Sequence, residues 1–365
     1  MKIKEILNIL EQWAPPSYQE SYDNSGLIVG DRNAECRGCL VTLDTIESVI
    51  EEAISNNCNL IISHHPIVFR GLKTITGKNY VERTVLKAIK NDIAIYAIHT
   101  NLDNVHTGVN KMIADRLGLE RPKVLAPKNQ ILRKLTTFVP IDAREKVAQA
   151  LFDAGAGAIG EYDECSFSTT GTGTFRPGEN TNPTLGTAGG RREHVEEARL
   201  EVIFPTHLTG KVLHHLQEQH PYEEVAYYLY NLENSNQEVG SGMVGNLPEP
   251  MAALEFLHFL KKTMETDCVR HTAICRPTIS RVAVCGGAGG FLLNTAKRAN
   301  ADIFITADYK YHEFFDADGQ IIIADIGHYE SEAFTKDLII DHLKEKLSNI
   351  AIYSSKVNSN PINYL

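Results

Sequence analysis

Short runs of apolar residues recur along the chain, and each ends in polar or small residues. They lie at residues 39–43, 60–63, 93–98, 282–285, 303–306 and 321–324. Helical periodicity fills intervals between them, as in residues 45–56 and 291–300. Continuous apolar strands that alternate with helices are typical of βα units in a largely parallel sheet. The carboxyl ends of such strands, where ligands bind in these folds, carry the polar residues.

The two ends of the chain resemble each other. Residues 40–65 and 282–308 both contain an apolar strand, a helix and a second strand with a polar end, at similar spacing. This pattern predicts an α/β domain built from two βα-rich halves that face each other across one site. Chance similarity between βα units explains the repeat equally well.

The middle of the chain has a different pattern. A strand at 134–139 and a helix at 143–154 precede a Gly- and Thr-rich strand-and-loop stretch. A strand at 200–204, a helix at 208–219 and a strand at 224–229 follow. This β-α-β, β-α-β order is ferredoxin-like. We expect an inserted α+β domain at residues 128–238, which interrupts an α/β domain formed by residues 1–127 and 239–365.

Composition limits the function classes. The 365 residues carry a net charge of −10, which disfavours a nucleic-acid surface because phosphate binding needs clustered Lys and Arg. No apolar run approaches the length of a membrane span. Ile3, Ile6, Leu7 and Leu10 have helical spacing and predict an amphipathic first helix. The seven cysteines are scattered, which favours reduced thiols and a cytoplasmic protein.

Candidate chemistry lies at the strand ends. His64 and His65 follow an apolar run and precede Pro66, and because neighbouring side chains of an extended segment diverge, they suit two metals better than one. His328 and Glu332 would share one face of a helix, and Asp103 follows another strand in a stretch that looks like a loop. Imidazole and carboxylate are ligands for Zn, Fe, Mn or Ni. Each residue alone has a simpler interpretation, as a hydrogen-bonded strand end or a solvated helix pair.

Three motifs resemble the NIF-three-like family, whose members are called GTP cyclohydrolase 1 type 2 homologs. They are Ser63-His64-His65-Pro66, the stretch from His99 to Asp103, and the stretch from Gly327 to Glu332. The segments at residues 22–27 and 306–312 fit the same family pattern, except that Ala307 stands where many members carry Gly. His220-Pro221-Tyr222-Glu223 fits the PII/CutA-like insert of the longer bacterial members.

The resemblance implies a dinuclear metal site with two divalent ions per chain. His65 and Asp103 would hold one ion, His64 and His328 the other, and Glu332 would bridge them. Asp308 and His312 would lie nearby in a supporting or substrate-binding role, and His99 and Asn101 would orient Asp103.

The family name implies opening of the guanine ring of GTP, in which metal-activated water would attack C8 of the base. Another metallohydrolase acting on a nucleotide or small-metabolite phosphoester, or a metal-binding regulatory scaffold without activity, are the alternatives. We expect a homohexamer with a small-molecule or nucleotide substrate, and neither a membrane nor a nucleic acid as partner. A glycine-rich stretch at residues 286–290 could cradle an anion, or could serve tight helix–strand packing.

Overall fold

The secondary structure follows the alternation of apolar runs and helical patterns over residues 1–365, all of which the computed structural model describes. The strands are β1 (Gly26–Val29), β2 (Cys39–Thr42), β3 (Leu60–Ser63), β4 (Ala94–Ala97), β5 (Glu120–Lys128), β6 (Leu132–Pro140), β7 (Phe167–Phe175), β8 (Glu193–Pro205), β9 (Tyr227–Leu232), β10 (Asn236–Ala252), β11 (Arg270–His271), β12 (Thr278–Val284), β13 (Ile303–Thr306), β14 (Ile322–Asp325) and β15 (Ile352–Ser354). The α-helices are α1 (Ile3–Trp13), α2 (Glu47–Ser55), α3 (Tyr80–Lys90), α4 (Thr100–Asn104), α5 (Val109–Arg116), α6 (Arg144–Asp153), α7 (Thr209–Gln219), α8 (Ala253–Thr263), α9 (Leu293–Arg298), α10 (His328–Glu332) and α11 (Thr335–Lys346).

Two units divide the chain. One comprises Met1–Pro127 with Glu238–Leu365, and the other comprises Lys128–Gln237. The first unit contains a five-stranded sheet in the order β1-β4-β3-β2-β15 and a six-stranded sheet in the order β11-β14-β13-β12-β10-β5. The expectation of a mixed α/β chain with several sheets is confirmed.

Buried four-residue strands form the centre of both sheets of the first unit. β2, β3 and β4 run parallel, as do β12, β13 and β14. Every residue of β2, β3, β4, β13 and β14 is buried, because helices cover both faces of a parallel sheet. Full burial of each Leu, Ile or Phe contributes about 1.5–3 kcal/mol, so these runs supply much of the core.

The helical expectations hold in this unit. α1 buries Ile3, Ile6, Leu7 and Leu10 on one face, as their spacing predicts. α2 and α9 connect consecutive parallel strands in the two sheets, so each half contains a β-α-β unit. No helix is both long enough and apolar enough to cross a bilayer.

The second unit is a four-stranded antiparallel sheet with two helices. Its strand order is β7-β8-β6-β9, and α6 and α7 pack on one face through Leu135, Val139 and Leu200. A β-α-β-β-α-β chain with this order has ferredoxin-like topology. The last strand begins at Tyr227, three residues later than its apolar pattern suggests, and the expected linker at 234–237 already includes the start of β10.

Candidate metal centre

The adjacent histidines directly extend a buried strand. The backbone N–H groups of His64 and His65 donate to the carbonyls of Thr42 and Leu43, which prolongs the β2–β3 ladder past Ser63. On the other side of the strand, the Ile98 N–H donates to the Ser63 carbonyl at 2.9 Å, so the strand end is held by both of its neighbours. The two rings diverge, with centroids 4.9 Å apart and planes inclined by 47°.

Asp103 lies in a short helix, where the sequence suggested a loop. α4 follows β4, and its first residue, Thr100, donates its backbone N–H to Asp23 Oδ2 at 3.1 Å. A five-residue helix has little intrinsic stability, so a carboxylate from a distant part of the chain stabilises its start. This helix places Asp103 beside His64, with Oδ1 3.6 Å from the ring Nε2.

His328 and Glu332 occupy one face of α10, as their spacing predicts. Gly327 precedes the helix with a positive φ of 91°, a conformation that glycine adopts without steric cost. His328 Nε2 lies 3.2 Å from Glu332 Oε2, and Glu332 is only 2% exposed. Gly287 makes room for this carboxylate, because a Cβ at that position would lie 2.5 Å from Glu332 Oε1.

Three of the candidate ligands, all histidines, converge on one oxygen of a fourth, Glu332. Glu332 Oε2 lies 3.0 Å from His65 Nε2 and 3.8 Å from His64 Nε2, in addition to its contact with His328. The ligand atoms of His64, Asp103 and Glu332 lie within 4.8 Å of one another, and so do those of His65, His328 and Glu332. Both groups could hold a metal ion.

This grouping differs from the pairing that the family resemblance implied. His64 stands with Asp103, and His65 stands with His328, whereas the resemblance paired His65 with Asp103 and His64 with His328. The reason is geometric. His65 Nε2 lies 3.3 Å from His328 Nε2, while the fully buried His64 turns toward Asp103. Glu332 remains the shared residue of both groups.

Every histidine of the site has its Nδ1 occupied. His64 Nδ1 pairs with the carbonyl of Ile98, His65 Nδ1 with Asp44 Oδ1, and His328 Nδ1 with Asp308 Oδ2, at 2.7–2.8 Å. Such partners fix the ring and leave Nε2 as the free ligand atom. His99 is held in the same way by Asp23 Oδ1 at 2.7 Å.

The charges of the cluster are strongly perturbed. Burial lowers the pKa of His65, but Asp44 and Glu332 outweigh burial and raise this pKa to about 9. Burial likewise opposes protonation of His328, whose pKa Glu332 and Asp308 raise to about 11. Burial and the neighbouring Glu332 raise the pKa of Asp103. Without metal, these groups therefore tend to hold protons at the positions where cations would bind, and metal binding would displace the protons.

Two orphaned atoms support this assignment. His64 Nε2 and Asp103 Oδ1 are buried and lack a hydrogen-bond partner. Unpaired buried polar atoms are costly, and a divalent cation between these two would satisfy both. The imidazole and carboxylate donor set also fits Zn, Fe, Mn or Ni.

Of the two residues expected near the site, Asp308 contacts a candidate ligand and His312 does not. Asp308 contacts His328, as above, and has a left-handed φ of 59°. The neighbouring Ala307 is not left-handed, so the turn does not need glycine at that position. His312, in contrast, is exposed and stacks on Phe315.

His99 and Asn101 do not orient the free carboxylate oxygen of Asp103. The amide of Asn101 donates to the carbonyl of Ala14, and its oxygen accepts from the His99 backbone N–H. Asp103 Oδ1 has no hydrogen-bond partner. His99 instead approaches His64 and His65 closely enough to form a third potential ligand group.

The glycine-rich stretch after β12 does not form an anion cradle. The backbone N–H groups of Gly286, Gly287 and Gly289 donate to Asn110, Ser331 and Thr306 of the chain itself. These amides already have hydrogen-bond partners within the chain and are not free to bind an anion.

Cys36 and Cys39 are free, buried thiols with their sulfurs 3.7 Å apart.

Sequence reasoning missed Asp44 and Asp23. Both are carboxylates that hold a histidine, and Asp44 lies two residues after the end of β2, near the same kind of strand end as His64. That position was a usable signal for Asp44. Asp23 lies in a loop whose only sequence signal was the fit of residues 22–27 to the family pattern, and the three-dimensional structure reveals that it holds His99.

The centre opens into a cavity of about 460 Å³. Aromatic and aliphatic side chains that are partly exposed stand around it, namely Tyr22, Phe69, Phe291 and Ile362. Its acidic side chains are Glu20, Asp44, Asp103 and Glu332, and apart from the histidines of the centre no basic side chain lines it.

Comparison with known proteins gives consistent results. The sequence model of the family described as Duf34/NIF3 (NGG1p interacting factor 3) matches residues 1–361. A Bacillus subtilis (strain 168) protein named GTP cyclohydrolase 1 type 2 homolog is 39% identical, over 99% of this chain and 98% of its own length. A protein of that name from Halalkalibacterium halodurans is also 39% identical, over the same shares.

Solved structures show the same relationship. The crystal structure of a Bacillus cereus protein related to NIF3 has a TM-score of 0.87 and 37% sequence identity, and the match covers 100% of this chain and 99% of that one. Reduced HcgD from Methanocaldococcus jannaschii shares the fold, with a TM-score of 0.58 at 20% identity over 98% of both chains. On the strength of the family match and these relatives, the chain belongs to the Duf34/NIF3 family.

Proposed function

We propose that this chain is a metal-dependent hydrolase with a dinuclear divalent metal site. His64 and Asp103 would hold one ion, His65 and His328 the other, and Glu332 would contribute to both. The observation that carries the proposal is the convergence of the free ligand atoms on Glu332, with His64 Nε2 and Asp103 Oδ1 buried and unpaired. Five protein ligands for two ions leave positions open, which is typical of catalytic sites.

The chemistry of the site follows from its side chains. When bound, divalent ions lower the pKa of water and stabilise negative charge on a substrate. Asp44 and Asp308 fix the rings of His65 and His328 through Nδ1. Asp23 holds His99 Nδ1, which leaves His99 Nε2 as the nitrogen that can accept or donate a proton in the cavity.

The name of the relatives suggests GTP as substrate, and the apolar rim of the cavity suits a nucleobase. The carboxylates that line the cavity favour a substrate with less negative charge than a triphosphate. A triphosphate would meet carboxylates and no lysine or arginine, so its binding would depend on the bound ions, which the histidines would hold. We therefore retain a second candidate function, a metallohydrolase acting on a small nucleotide or phosphoester.

Metal analysis followed by turnover assays tests the proposal. Metal-replete protein should contain two ions per chain and hydrolyse GTP or another member of a nucleotide and phosphoester panel. Activity should vanish in His65→Ala and Asp103→Ala, and chelated wild type should recover it with divalent metal. Cys36→Ser is the control and should behave like wild type. Fewer than one ion per chain contradicts the dinuclear site, and two bound ions without any turnover favour the regulatory scaffold.

We propose in addition that residues 128–238 form a PII/CutA-like inserted domain and that the protein is a homohexamer. The ferredoxin-like strand order supports the first point. Sheets of this kind have free edges and often associate by symmetry, which supports the second. Light scattering measures the assembly, and a stable monomer at micromolar concentration contradicts it. Deletion of the insert should leave a soluble protein that still binds metal.

A further inference from the structure

A second cavity, of about 470 Å³, lies within the ferredoxin-like unit and takes no part in the metal centre. It is bounded by the end of β7, the loop that follows it, and the segment that leads into β9. Cavities of this volume accommodate small molecules. The His220-Pro221-Tyr222-Glu223 motif, which the metal chemistry leaves unexplained, contributes to its wall.

A carboxylate that is almost fully buried lies in this cavity. Glu197 on β8 is 8% exposed, and its Oε1 accepts a hydrogen bond from the Tyr222 hydroxyl at 3.0 Å. Its Oε2 lies over Gly173, where a Cβ would be only 1.9 Å away. The missing side chain at Gly173 therefore creates the space that the carboxylate occupies. Such burial of a carboxylate is costly unless a donor or cation compensates it.

Tyr222 is held in place by a defined histidine tautomer. Nε2 of His220 lies 2.9 Å from the Phe138 carbonyl, and its Nδ1 accepts the Tyr222 backbone N–H at 3.1 Å. His220 must therefore carry its proton on Nε2 and stay neutral. Burial lowers its pKa, in agreement with this state.

Aromatic rings form the walls. Phe138 packs on Tyr228 with ring centroids 5.8 Å apart, and Phe175 packs on Tyr222 at 5.9 Å. The loop after β7 is fastened to the opposite wall, because Asn182 N–H donates to Glu223 and Thr184 donates to the Pro221 carbonyl. The rings and the carboxylate are thus arranged before any ligand arrives.

The charged side chains that line the cavity favour a positively charged ligand. Glu197, Glu223 and Glu224 line the cavity, against one basic residue, Arg176. Aromatic faces attract cations, and a buried carboxylate beside them adds to this attraction. Anionic ligands such as phosphates or carboxylates would be repelled. We propose that this cavity binds a small organic cation, an ammonium group attached to an apolar or aromatic body, with the ammonium at Glu197.

Benzylammonium chloride is a suitable probe, and benzyl alcohol is its neutral counterpart of similar shape. Saturation-transfer NMR titration of the full-length protein measures both affinities. We expect saturable binding of benzylammonium, with benzyl alcohol at least about fivefold weaker because it lacks the charge. Glu197→Gln should weaken benzylammonium by about tenfold while leaving benzyl alcohol unchanged.

A pair of matched tyrosines separates binding from folding. Tyr228 lines the cavity and is 53% exposed, whereas Tyr230 lies outside it on the same strand and is 47% exposed. Tyr228→Leu should weaken benzylammonium about fivefold, and Tyr230→Leu should have no effect. Absence of saturable binding, equal affinity for benzyl alcohol, or equal losses in the two leucine variants would each overturn the proposal.

Discussion

The two carboxylates that hold His65 and His328 should control one metal ion and spare the other. Asp44 and Asp308 each accept from a histidine Nδ1 at 2.7 Å. Loss of such a partner typically weakens metal binding by about 10–100-fold. The side chains of Asp44 and Asp308 are 32% and 51% exposed, so we expect the lower end of this range, about tenfold, for Asp44→Asn and for Asp308→Asn.

The selectivity follows from the grouping of the ligands. Both altered carboxylates support the group formed by His65, His328 and Glu332, while the orienting partner of His64 is a backbone carbonyl that neither substitution touches. The two carboxylates hold different rings of the same ligand group, so the double variant should bind that ion more weakly than either single variant, and a loss that departs from the additive value of about 100-fold would measure the coupling between the two rings.

Competition with a chromogenic chelator measures the two ions separately. In both variants one ion should keep its wild-type affinity. Only the affinity for the other ion should be weakened. Asp115→Asn is the control, since this carboxylate is exposed and pairs with Lys111 on α5. Equal weakening of both ions, or no change in either, would refute the ligand grouping.

Three further outcomes are expected. Glu332→Gln should weaken both ions in elemental analysis of dialysed protein, because both groups share this residue, and retention of either ion at wild-type affinity would disprove the sharing. Phe304→Ala should lower the free energy of unfolding by about 3–5 kcal/mol in denaturant titration, since Phe304 is fully buried; a loss below about 1 kcal/mol would mean that the site collapses. The Glu82 carboxylate accepts hydrogen bonds from the backbone N–H groups of Thr76 and Lys78, and these bonds lower its pKa from 4.5 to about 2. Its stabilising effect should thus be complete above pH 4.5 and disappear as pH falls toward 2, so that the stability difference from Glu82→Gln narrows in acid; a difference independent of pH would contradict this.

Local patterns predicted the elements that local physics determines. The apolar runs of β3 and β13 stand out because both faces of these strands are buried, and the spacing of His328 and Glu332 needs only one helical turn. Adjacent histidines at a strand end could likewise be identified as candidate ligands from their position, and the structure places both in groups that could hold a metal ion.

Relations between distant segments could not be predicted in this way. The pairing of His65 with His328 depends on where the ends of two different sheets meet, which no spacing in the sequence encodes. The same holds for α4, whose start is stabilised by Asp23 from 77 residues away. The sequence pattern alone favours a loop there because the stabilising partner is not local.

The wide separation of the ligands along the chain has a consequence for biosynthesis. His65 and Glu332, whose side chains touch, are 267 residues apart in sequence. At about 5–20 residues per second, a ribosome needs roughly 15–50 s to add the second after the first. During that interval His64, His65 and Asp103 can fold with the early strands but lack the shared carboxylate. In the proposed metal centre a nascent chain would therefore present an incomplete chelator, and stable metal binding would have to follow translation of α10.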